Sequence, residues 1–111
     1  MSHPKWNAKA QLEAGDQTGA LHTAKLIPAA INRHGVLMRI ALTQAQSGNV
    51  HGAIKTVTHI DAPLRRNAVL LGIALIRARA DDIPGALATA RNMGSELARA
   101  RAYREISQHV G

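Results

Sequence analysis

The chain has 111 residues, with fourteen Lys and Arg against seven Asp and Glu, a formal charge of +7, and neither cysteine nor phenylalanine. Disulfides, thiolate nucleophiles and thiolate metal sites are thereby excluded, and the core falls to Ala, Leu, Ile, Val and Met, a set that suits closely approaching helices better than a sheet sandwich. The length allows one domain with a modest core, and the charge favours acidic partners.

From the amino terminus, Met1-Ser2-His3-Pro4-Lys5-Trp6 shows no apolar core following its charges. No later run approaches the roughly 18 uninterrupted apolar residues of a membrane span. The reading is a chain neither secreted nor membrane-spanning, with a cytoplasmic location expected. Trp6 to Ala14 reads as a shortened long helix, with Trp6 covering an otherwise exposed end. Gly15-Asp16 stops it, because glycine in a left-handed conformation closes a helix and the next Asp or Asn caps the following one. A short helix near 18–27, a long one near 29–46, a stop at Gly48-Asn49, a short helix near 50–59 and a long one near 62–79 come next. The stop at Asp81-Asp82, a short helix near 83–92 and a last helix near 95–109 complete the series. Asp61 is placed to cap Ala62-Pro63-Leu64, and Ser95 the last helix. The run from Ala68 to Ile76 reads as a buried helix.

These elements repeat at a 33-residue offset. Gly19-Ala20, Gly52-Ala53 and Gly85-Ala86 superimpose, as do Asp16, Asn49 and Asp82, then Leu21, Ile54 and Leu87, then Ile27, Ile60 and Met93. On the long helices Leu37, Leu70 and Tyr103 share a column, as do Ile40, Ile73 and Ile106. The long-helix stripe is Leu37, Ile40, Ala41 and Ala45, matched by Leu70, Ile73, Ala74 and Ala78, at the three-four spacing of a buried face. The short-helix stripe is Val50, Ala53, Ile54, Val57 and Ile60 with its equivalents. Each unit buries its apolar face only against its neighbours. The chain is thus a single all-α domain of antiparallel helix-pair repeats, about seven helices in a short solenoid, with units at 1–27, 28–60 and 61–93 and a last helix over 94–111. Met38 and Leu42 become Leu71 and Leu75 and then Arg104 and Gln108. A terminal repeat turns its outer face polar, so the array is expected to end there.

Two stretches carry a family resemblance: Ala68-Val69-Leu70-Leu71-Gly72-Ile73-Ala74 followed by Asp81-Asp82-Ile83-Pro84-Gly85-Ala86-Leu87, and Leu37, Ile40, Ala41, Gly48, Asn49 and Ala53. The pattern resembles the tetratricopeptide repeat and covers essentially the whole chain. The period is 33 rather than the family's usual 34, the aromatic positions hold Leu or Ala, and Pro28, Asp61 and Gly94 replace the end-of-repeat Pro. The resemblance implies a divergent tetratricopeptide-like solenoid with a concave, protein-binding surface.

Candidate contacts follow from charge and repetition. Arg33, Arg66 and Arg99 form one column, which either clamps carboxylates or phosphates or bridges to the carbonyl end of the preceding helix, the role that stacking favours. Arg65, Arg77 and Arg79, with Arg101 and Arg104, lie beside it and are not required for stacking. The expected partner site is Asn32, Arg33, Arg66, Asn67, Arg77 and Arg99, with the two Asn orienting a peptide backbone or carboxylate. Tetratricopeptide clamps for acidic peptide termini use similar residue types on first helices.

His3, His22, His34, His51, His59 and His109 show no metal-ligand spacing. Ser47, Ser95 and Ser107 have no His-acid constellation, so no metal, cofactor or catalytic activity is expected. Trp6 and Tyr103 are the only aromatics, too few for the stacking platforms of single-strand binders. The expected function is a non-catalytic adaptor for an acidic protein or peptide. The alternatives are a small structural subunit, whose Met38, Leu42, Leu71, Leu75 and Ile76 are covered by a larger assembly or second copy, and a nucleic-acid-backbone binder. Residual apolar surface on the free chain would favour the subunit.

Overall fold

A computed structural model describes residues 3–110. Seven helices follow one another: α1 Pro4–Glu13, α2 Gln17–Ala24, α3 Ala30–Gln46, α4 Val50–Val57, α5 Pro63–Arg79, α6 Ile83–Arg91 and α7 Glu96–Ser107. They pack as the pairs α1/α2, α3/α4 and α5/α6. The longer members also pack in the series α1, α3, α5, α7. The result is two helical layers, one of longer and one of shorter helices, extending 50 × 26 × 16 Å. All eight residues expected in the long-helix stripes are buried.

The sequence explains each turn three times over. At the end of each long helix a residue with positive φ reverses the chain: Gly15 and Gly48 at +87° and Asp81 at +61°. The next amide then reaches back to the last turn, from Asp16 to Gln11 O (2.9 Å), from Asn49 to Gln44 O (2.9 Å) and from Asp82 to Arg77 O (2.8 Å), the bond pattern of a Schellman closure. The same three residues cap the short helices, accepting from Gly19 N (2.9 Å), Gly52 N (3.0 Å) and Gly85 N (3.0 Å). A Cβ on any of these glycines would fall inside the capping carboxyl or amide group. The alanine that follows, at 20, 53 and 86, is fully buried, where a larger side chain would push the paired helices apart. The recurrent Gly-Ala pair thus serves a cap and a close helix contact.

The short helices end one to three residues before the sequence expectation. The amides of Ile27, Ile60 and Met93 bond three residues back, to Ala24, Val57 and Ala90, so the last turn tightens while these side chains stay buried.

Ser95 caps α7 as expected, accepting from Ala98 N at 3.0 Å. Asp61 does not cap α5: the residue preceding that helix is Ala62, without a side-chain cap, and Pro63 supplies the first turn. The Asp61 carboxylate instead sits 2.6 Å from Nε2 of His34. Trp6 does not close the end of the stack either; it is 62% exposed, with Lys5 and Lys9 Nζ 5.7 and 5.4 Å from its ring.

Candidate partner-binding face

The layer of long helices has one side packed on the short helices and one side open. Along the open side, successive furrows separate α1 from α3, α3 from α5 and α5 from α7. Ile31, Gly35, Met38 and Arg39 line the first with Lys5 and Lys9 of α1. Gly35 and Met38 face Arg65 and Ala68 across the second. Leu64, Ala68 and Leu71 face Leu97, Ala98, Arg101 and Arg104 across the third, the roomiest at about 620 Å³. Positions 31, 35 and 38 are one helical face, and the 33-residue offset carries them to 64, 68 and 71 and then to 97, 101 and 104.

Three of the most exposed large apolar residues fall in a single column of this face: Ile31 at 72%, Leu64 at 85% and Leu97 at 83%. Each occupies the second position of its helix, where it adds nothing to the core. Scattered exposed aliphatics are ordinary on protein surfaces, but one per unit at the same place on one face makes a patterned apolar strip. The surrounding charge is mostly positive. Lys5, Lys9, Arg39, Arg65, Arg101 and Arg104 line the furrows, while acids there are few. Glu105 is partnered by Arg101 Nε at 3.3 Å, and Glu13 lies beside Lys9 and Arg39 at the rim.

The residues expected to form the partner site are not together on that face. Arg33 Nη1 donates to Ile27 O at 2.9 Å and lies 3.5 Å from Pro28 O, and Arg99 Nη1 donates to Met93 O at 2.7 Å. Both tie a long helix to the carbonyl end of the short helix before it. Arg66, third in that column, is half-buried in a recess beside the third furrow near the start of α5, lined also by Asn67, Asn92 and Ser95. Asn67 lines the third furrow as well, its Oδ1 accepting from Gly94 N at 3.2 Å. Only Asn32 is exposed beside the first furrow.

Arg77 corrects the expectation that it is free of stacking duties. Its Nη1 donates to Ala45 O at 2.9 Å, across to the end of α3, and its Nε to Asp82 Oδ2 at 3.0 Å. The Gly85 amide, and next the Arg77 guanidinium, hold the Asp82 carboxyl below its ordinary range.

Two further inter-unit contacts were absent from the sequence reading although the offset contains them. His34 with Asp61 and Asn67 with Gly94 are the same pair of columns in successive units. The hydrogen bond from His34 is the first cause holding the Asp61 carboxyl below its usual value. Likewise, Thr56 Oγ1 donates to Gln44 Oε1 at 2.6 Å inside the core. One unit earlier, with the Gln11 amide turned as its neighbours require, Gln11 Nε2 donates to Thr23 Oγ1 at 2.7 Å. Arg77 takes the Gln position in the third unit, and Thr89 there donates to Gly85 O at 2.8 Å. A buried Gln–Thr pair satisfies polar atoms that would otherwise cost free energy. Its signal was a polar residue recurring at 11 and 44 within an apolar stripe.

Among the described residues no His, Asp and Glu cluster could hold a metal ion, and no helix is long and apolar enough to cross a membrane. Comparison with protein-family models, with curated proteins and with solved structures gave no significant match. The structure defines the class: an all-α protein of stacked helix pairs, compatible with a helical repeat.

Proposed function

We propose that the chain is a non-catalytic adaptor of tetratricopeptide-like type that binds an acidic protein segment on the open face of its long helices. The observation that carries this reading is the column Ile31, Leu64 and Leu97, exposed on one face among mainly cationic neighbours. Side chains that leave the core unfilled and recur with the unit supply apolar contact area to a partner, and the cations beside them steer acidic ligands. The contact set is accordingly Ile31, Leu64, Leu97, Arg65, Arg101 and Arg104, with Asn32 at one end. Arg33, Arg77 and Arg99 belong to the scaffold that presents them.

The test is affinity capture at near-physiological salt with native chain and with L64S/L97S, each with and without nuclease. Acidic proteins held by the native chain after nuclease and lost from the variant are expected. Capture that vanishes with nuclease would overturn the reading in favour of nucleic acid.

One observation favours a second reading. The residual apolar surface that favours a structural subunit is present on this face: Met38 is 43% exposed beside the same three aliphatics, while Leu42, Leu71, Leu75 and Ile76 are half-buried, and such an area suits permanent coverage in an assembly. A subunit of that kind would co-purify at fixed stoichiometry and resist salt, whereas an acidic segment held electrostatically would be released as salt rises.

A further inference from the structure

The open face has a period, and a period constrains what can lie along it. Resting on the reading of that face as an acidic-partner site, we propose that the occupant is an acidic amphipathic α-helix laid across α3, α5 and α7, with apolar residues recurring every seven positions.

Ile31, Leu64 and Leu97 stand one per long helix at equivalent places. Packed helices lie about 8–10 Å apart, which sets the spacing of these three footholds. An α-helix advances about 1.5 Å per residue, so seven residues cover about 10.5 Å, and residues seven apart share a face. An extended strand needs about three residues for the same advance, but its side chains alternate with a period of two, so every third residue points the wrong way. The spacing therefore selects a helix over a strand.

Backbone chemistry agrees. An extended segment requires partners for its amides and carbonyls, and groups to read them are scarce here. The polar side chains in the furrows are engaged within the fold, Asn67 Oδ1 and Ser95 Oγ accepting from Gly94 N and Ala98 N and His34 paired with Asp61, and the rest of the lining is apolar or cationic. A helix satisfies its own backbone and asks only for apolar contact and charge. The charge is fixed by Arg65, Arg101 and Arg104 beside the aliphatic column, which also disfavours a second copy of this basic chain. Two intervals of about 10 Å correspond to about fourteen residues of helix, so a segment of three heptads spans the column.

The probe is a labelled peptide of about 21 residues with Leu at the a and d positions of three heptads and Glu at e and g. It is compared with a permuted peptide of identical composition. Anisotropy reads affinity and circular dichroism reads helix gained on mixing. The heptad peptide is expected to bind and gain helix, and the permuted one to bind at least about tenfold more weakly. L64S/L97S should lower affinity for the heptad peptide by at least about tenfold while leaving the melting transition in place. Equal binding of both peptides without helix gain would overturn the helix proposal and leave an acidic-segment adaptor standing. Binding of neither peptide at near-physiological salt would overturn both.

Discussion

The seam between units and the open face are built from the same repeat, and they use it differently. At the seam, recurring side chains are turned inward and bonded: Arg33 to Ile27 O, Arg99 to Met93 O, and His34 to Asp61. On the open face, the recurring residues Ile31, Leu64 and Leu97 lie exposed. A column of like residues can therefore record either what every unit needs in order to stack or what a partner touches in every unit. Burial and hydrogen bonding separate the two.

The largest effect that sharpens this contrast lies beneath the seam. Ile73 is fully buried in the middle of α5, and Ile73→Ala should cost about 2–5 kcal/mol, read by chemical denaturation. At the seam itself, Arg99→Ala leaves the Met93 carbonyl without its charged donor and should cost about 1.5–3 kcal/mol, discounted toward the lower end for its partial exposure. Denaturant midpoints of Arg99→Ala and Arg101→Ala measure the comparison, with Arg101→Ala expected within about 0.5 kcal/mol of native.

The helix stops supply a gain rather than a loss. Asp81 holds φ at +61° where Gly15 and Gly48 stand in the other units. Asp81→Gly relieves a left-handed residue that costs about 1–2 kcal/mol in an L-amino acid, less the greater chain entropy of glycine when unfolded. A net stabilisation of about 0.5 kcal/mol is expected, seen as a higher melting temperature; no gain would mean that the Asp side chain supports the turn.

The smallest effect is set by pH. Desolvation first, then Lys25 and Lys55, lower the pKa of His59 below its ordinary 6.5. The unfolded chain therefore binds the proton more readily, and stability falls as pH drops below 6.5 toward the folded value. His59→Asn, the residue one unit later at Asn92, should flatten that slope. Asp61 titrates with the opposite charge but the same trend: its carboxyl lies below the ordinary 3.8 through His34, so its contribution is present above that pH and lost in stronger acid. The difference in slope between native and His59→Asn over pH 5–7 isolates the histidine.

Much of this architecture was legible in the residues. Positive-φ stops, Asp and Asn caps and the three-four stripe each have a local cause, so Gly48-Asn49 and Asp81-Asp82 located helix ends to within a residue or two. Contacts between units were harder, because a hydrogen bond such as Arg77 to Ala45 O spans 32 residues and depends on how helices approach. Asp61 illustrates the limit. Its place before Pro63 suits a cap, yet Ala62 takes the cap position and the Asp61 carboxylate reaches across to His34 on α3. The exposed column at 31, 64 and 97 is present in the offset, and its signal is an aliphatic outside the buried stripe at the same position in three units.

The most direct test of the division between seam and face is a paired measurement of stability and of binding to the acidic heptad peptide for L64S/L97S and for R33A/R99A. The face variant is expected to keep the native denaturation midpoint and lose affinity, and the seam variant to lose stability while binding normally at temperatures where it remains folded. Lost affinity in a folded R33A/R99A with unchanged affinity in L64S/L97S would contradict it and return the guanidinium column to the partner site.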